Sequence, residues 1–67
     1  LIHRAKRIIK LATGAPEERV NEAFRLANGH VKTAIVMILA DVDKETAERL
    51  LAQADGFVRE AVRLAKE

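Results

Sequence analysis

One spacing governs this chain: apolar side chains at i, i+3, i+4 and i+7, met five times in 67 residues. Residues three and four apart share a face of an α-helix, so each occurrence marks a helix with a single buried stripe. The stripes are Ala5, Ile8, Ile9, Ala12; Val20, Ala23, Phe24, Ala27; Val31, Ala34, Ile35, Ile38; Ala47, Leu50, Leu51, Ala54; and Val58, Ala61, Val62, Ala65. Breakers fall between them. Gly14 suits a left-handed C-cap, and Pro16 ends the first helix while fitting the first turn of the next. Asn28-Gly29 and Asp55-Gly56 readily take positive φ, and Asp43 is placed to N-cap the fourth helix. Val36, Met37 and Leu39 fill the remaining sides of the third helix, which reads as the central one, buried nearly all round, while Phe57 reads as a plug against the bundle. The predicted fold is all-α, a bundle of five helices.

Shifted by 27 residues against itself, the chain lays its second and third stripes over its fourth and fifth without a gap. Ala27-Asn-Gly-His-Val31 falls on Ala54-Asp-Gly-Phe-Val58, and Lys32-x-Ala34-Ile35 on Arg59-x-Ala61-Val62. Each unit is a helix, an [ND]-G turn and a second helix, which implies an αα-hairpin used twice, with alanines letting the helices approach closely.

A chain of this length has room for one small core, so a second domain is excluded. With 49% hydrophobic and 33% charged residues and a single Pro, it belongs with folded globules and not with disordered or low-complexity segments. The absence of Cys excludes a disulfide scaffold, a cysteine zinc finger and a thiol nucleophile, and leans weakly towards the cytoplasm. Nothing in the sequence reads as a membrane span or a signal peptide, the longest apolar run being the seven residues 34–40. The chain begins at Leu1, and its only methionine is Met37, which suggests a piece of a longer protein. The net charge of +2 is unevenly spread: residues 1–13 hold Arg4, Lys6, Arg7 and Lys10 with no acid, whereas residues 41–55 hold five acids and two bases.

Catalytic and metal chemistry find little to work with. The chain has no Cys, Tyr or Trp, and its three threonines are scattered. His3 and His30 lie far apart without metal-ligand spacing, and Gly14, Gly29 and Gly56 terminate helices instead of forming a phosphate loop. Glu17, Glu18 and Glu22 are helix-surface acids by spacing. No catalytic residue, cofactor site or metal site is expected. His3, Lys6, Arg7 and Lys10 share the face of helix one opposite its apolar stripe, either a solvated side or a surface for anions. A helix-turn-helix reading of helices two and three fails because residues 34–40 offer no polar side chain to base edges, so no nucleic-acid partner is expected.

A helix, a Gly turn, a second helix and an [ND]-G turn into V-x-x-A-[IV] resemble the ubiquitin-associated three-helix bundle over residues 1–40, leaving 43–67 as an appended hairpin. Members that bind ubiquitin present a Gly flanked by large apolar residues in the first loop; here that loop is Thr13-Gly14-Ala15-Pro16. A narrower resemblance covers nearly the whole chain. Arg4-Ala5-x-Arg7-Ile8-Ile9, Ala12-Thr13-Gly14, Asn28-Gly29-x-Val31-Lys32-x-Ala34-Ile35-Val36-Met37, Ala47-x-Arg49-Leu50-Leu51 and Gly56-Phe57-Val58-Arg59-x-Ala61-Val62 resemble the C-terminal domain of bacterial N-acetylmuramic acid 6-phosphate etherases, a family related to the glucokinase regulatory protein.

The resemblance implies a parent lyase that removes the D-lactyl ether of N-acetylmuramic acid 6-phosphate in cell-wall recycling, its acid and base lying in an upstream sugar-isomerase (SIS) domain. This chain would then be a non-catalytic accessory domain of a cytoplasmic homodimer. Its partners would be the SIS domains of its own and of a second subunit, where it would aid dimerisation and active-site closure. Arg4, Arg7 and Lys32 are the candidates for docking or for approach to a phosphate. The alternative function is an independent ubiquitin-associated-like interaction module using the 13–16 loop.

Overall fold

The computed structural model describes residues 2–67. Among them are five helices: α1 (Ile2–Thr13), α2 (Glu17–Leu26), α3 (Val31–Ala40), α4 (Lys44–Gln53) and α5 (Val58–Ala65), with no strand. The chain is all-α, as the five stripes predict.

Local chemistry sets each boundary. The Thr13 hydroxyl donates to the Ile9 carbonyl at 2.8 Å and accepts from the Ala15 amide at 3.2 Å, closing α1 before Gly14 turns left-handed at φ 69°. Glu17 and Glu18 sit in the first turn of α2, where the helix dipole favours negative charge. Asp43 caps α4, its Oδ1 accepting from the Thr46 amide at 2.8 Å. The end of α3 turns on Asp41, a non-glycine residue at φ 56°.

The 27-residue repeat is reproduced bond for bond. In the first turn the amides of Ala27, Asn28, Gly29 and His30 donate to the carbonyls of Ala23, Arg25, Phe24 and Ala27. In the second, Ala54, Asp55, Gly56 and Phe57 donate to Leu50, Ala52, Leu51 and Ala54, each 27 positions on. Asn28 and Gly29 have φ of 55° and 82°, Asp55 and Gly56 of 58° and 85°. The correspondence reaches further back than the [ND]-G motif: Gly14 donates to the Lys10 carbonyl and Asp41 to that of Met37, both in the left-handed region. The molecule is thus α1-α2-α3 repeated as α3-α4-α5, with α3 belonging to both units.

That sharing makes α3 the centre. It packs on α1, α2, α4 and α5, and Thr33, Ala34, Ile35, Val36 and Met37 are all buried. Ile9 and Val36 are the largest side chains with no exposure, and they too are 27 residues apart. Alanines complete the core at positions 23, 27, 34, 47, 54 and 61, their small side chains permitting close helix approach.

Three expectations need correction. Phe57 is not a plug: it is 68% exposed. It occupies the extended N-cap position of α5, the place His30 takes before α3, so its side chain lies outside the stripe that begins at Val58. The α1 stripe is narrower than its spacing suggests, because α1 meets chiefly α2 and α3. Ile9 is buried and Ala5 half-buried, whereas Ile8 and Ala12 are exposed. Leu39 is also exposed, so α3 is covered on most sides but not on all.

Candidate functional site

Helix α1 carries four cations and no acid, and the structure sets them on two neighbouring surfaces. His3, Lys6, Arg7 and Lys10 line a cleft of about 450 Å³ against α2, whose wall supplies Glu17, Val20 and Asn21. Lys6 Nζ lies 5.6 Å from the centroid of the Phe24 ring, a cation–π contact that fixes the lysine stem on the half-buried aromatic. Among the described residues none of these four side chains is ion-paired; the pairs join Arg19 to Glu22 and Asp41, Lys44 to Glu48, and Arg63 to Glu60 and Glu67. Three cations against the single carboxylate of Glu17 leave the cleft with excess positive charge, which favours anionic groups.

The second surface of α1 adjoins this cleft, shares Arg7 and Leu11 with it, and is otherwise open to solvent. Arg4, Arg7, Ile8 and Leu11 stand at i, i+3, i+4 and i+7, a second stripe on the helix whose core stripe runs through Ile9. Leu11 is 77% exposed and Ile8 47%. Arg4 and Arg7 are the expected docking residues; Ile8, expected in the core, stands beside them instead, and Leu11 joins them through the same helical spacing.

Lys32 has a different place from the two arginines. Its Nζ donates to the Gly56 carbonyl at 3.1 Å, tying the start of α3 to the α4–α5 turn. The structure therefore brings Arg7 to the α1–α2 cleft, leaves Arg4 on the outer face of α1, and engages Lys32 in the bundle. Thr13 is similarly engaged, its hydroxyl closing the end of α1, so in the 13–16 loop it is a structural cap.

An apolar groove runs where Ala12, Ile35, Leu39, Val58 and Val62 meet between α1, α3 and α5. Arg63 on its rim is held by Glu60 and Glu67; this contact keeps the Glu60 carboxyl below its ordinary range and raises the guanidinium further. Among the described residues no three His, Cys, Asp or Glu side chains gather to hold a metal ion. No helix of the described residues is long and apolar enough to cross a membrane.

Fold and surfaces together define a small all-helical module with one basic flank and one apolar groove, built from overlapping copies of a single helical unit. Its relatives are particular. The chain is 47% identical over 64 residues to the N-acetylmuramic acid 6-phosphate etherase of Caldanaerobacter subterraneus and 58% identical over 59 residues to that of Exiguobacterium sp.. It is 48% identical over 59 residues to that of Streptomyces coelicolor. The aligned residues are 96%, 88% and 88% of this chain but 21%, 20% and 19% of those proteins. The chain thus spans about a fifth of the length of the curated relatives it matches, in their C-terminal part. The resemblance to the C-terminal domain of the bacterial N-acetylmuramic acid 6-phosphate etherases holds along nearly the whole chain. No family profile and no solved structure matches it.

Proposed function

We propose that this chain is the accessory helical domain of an N-acetylmuramic acid 6-phosphate etherase. In this reading it packs on the catalytic SIS part of the parent in the cytoplasm, helps two subunits associate and helps the active site close. One observation carries the reading: 96% of the chain aligns, at 47% identity, with a protein named for that activity. Elimination of the D-lactyl ether and rehydration of the sugar would then be the work of groups in the remaining four-fifths of the parent. What this domain contributes is a rigid, cationic surface. Arg4 and Arg7, both exposed, are the docking residues in this reading, and Lys32 supports them indirectly by anchoring α3 to the α4–α5 turn.

The test uses a whole relative, the Exiguobacterium etherase, with and without the segment that matches this chain. Release of D-lactate is measured along with subunit mass by sedimentation equilibrium. The proposal expects the shortened enzyme to lose its dimer and to turn over at least about tenfold more slowly, a barrier increase of about 1.4 kcal/mol. The 67-residue chain alone should release no lactate. A shortened enzyme that stays dimeric and fully active contradicts the accessory role, and lactate released by the 67-residue chain contradicts its non-catalytic character.

A further inference from the structure

The repeat shows what kind of surface the outer face of α1 is. At an offset of 27, Arg4, Arg7, Ile8 and Leu11 of α1 fall on Val31, Ala34, Ile35 and Ile38 of α3. In α3 that stripe is largely covered: Ala34 has no exposure, Ile35 has 7% and lies in the groove between Ala12 of α1 and Val58 and Val62 of α5, and Val31 and Ile38 are half-buried. Helices flank α3 on both sides, whereas α1 packs chiefly on α2 and α3. No helix among the described residues covers the α1 stripe, and Ile8 stays 47% and Leu11 77% exposed in the register where α3 is packed.

The two arginines distinguish this stripe from a purely apolar one. Where α3 has Val31 and Ala34, α1 has Arg4 and Arg7, and among the described residues neither is ion-paired. A helix laid on α1, as α1 itself is laid on α3, would meet apolar side chains along one edge and guanidinium groups along the other. We propose that the Arg4–Arg7–Ile8–Leu11 stripe docks an acidic amphipathic helix of a partner protein, its apolar side chains meeting Ile8 and Leu11 and its carboxylates pairing with Arg4 and Arg7. The inference shares Arg4 and Arg7 with the docking role that the etherase reading gives them and goes beyond it in naming the chemistry of what they meet; the peptide titration tests it without reference to lactate release.

The experiment uses the 67-residue chain and two peptides that copy α1, both held helical by a side-chain staple. One has the native residues 1–13; the other carries Arg4→Glu, Lys6→Glu, Arg7→Glu and Lys10→Glu. Amide resonances of the chain are followed as each peptide is added. The acidic peptide is expected to shift Arg4, Arg7, Ile8 and Leu11 and to bind about tenfold more tightly than the native one. Arg7→Glu in the chain should weaken it by about the same factor, and Leu11→Ala should abolish the shifts. Both positions are exposed, so unchanged α3 resonances establish that these variants remain folded. Equal binding of the two peptides, shifts centred on the Val58–Val62 groove, or no shift at millimolar acidic peptide overturns the proposal. So does engagement of the stripe by anionic lipid vesicles or by a second copy of the chain while the acidic peptide is silent.

Discussion

Asp43 does two jobs with one carboxylate: it satisfies an amide at the start of α4, and it puts negative charge at the positive end of the helix. The hydrogen bonds from Thr46 hold its pKa below the ordinary 3.8. The folded chain therefore binds this proton less tightly than the unfolded one. The contribution is present above the unfolded value and is lost as pH falls through the folded one. Asp43→Asn keeps an acceptor without the titration, so its melting temperature should fall less than that of the native chain between about pH 5 and pH 2. Thermal melts by circular dichroism across that range check it, and parallel curves would contradict it. Gly29 gives a second test, of backbone conformation. A Cβ there would meet Phe24 Cζ at an ordinary 3.7 Å, leaving the φ of 82° as the source of strain. Gly29→Ala should cost roughly 1 kcal/mol in urea denaturation, and Asn28→Gly should stay within about 0.5 kcal/mol of native. These turns are legible in the sequence because Gly, Asn and Asp tolerate positive φ. Asp41 is not, since an Asp entering an acidic stretch reads as a surface residue; only its place 27 positions after Gly14 marks it.

Helix α1 shows how far periodicity alone carries. Spacing identifies the helix and its termination at Thr13-Gly14, but four apolar residues at i, i+3, i+4 and i+7 do not say how wide a face its neighbours cover. With α2 and α3 as its main contacts, α1 buries a narrow band centred on Ile9 and leaves the adjoining Ile8 in solvent. Two isoleucines adjacent in sequence should then respond very differently. Ile9→Ala should cost roughly 2–5 kcal/mol and Ile8→Ala less than about 1 kcal/mol, measured by the same denaturation. Similar losses at the two positions would mean that α1 is rotated or covered on its outer face. Phe57 teaches a related lesson: aromatic size suggested burial, yet its N-cap position takes it off the stripe of α5. Of the candidate site residues, Arg4 and Arg7 were legible as an acid-free basic run. The engagement of Lys32 with Gly56 was not, because it joins residues 24 apart through a turn that only the fold brings close.

At the scale of the molecule, α3 serves two helical units at once. Core residues come from every helix, with Ile9, Val20, Ala34, Val36, Ala47 and Ala61 in one cluster. A shared central helix leaves neither α1-α2 nor α4-α5 a core of its own, so the chain should open as one cooperative unit although its sequence repeats. Native-state amide hydrogen exchange at increasing urea tests this most directly. The slowest amides of all five helices, among them Ala23, Val36, Leu51 and Ala61, should merge onto one free energy equal to that of global unfolding. If α4 and α5 instead exchange together at a distinctly lower free energy while α1, α2 and α3 stay protected, the two units are separable and a single core organised by α3 is contradicted.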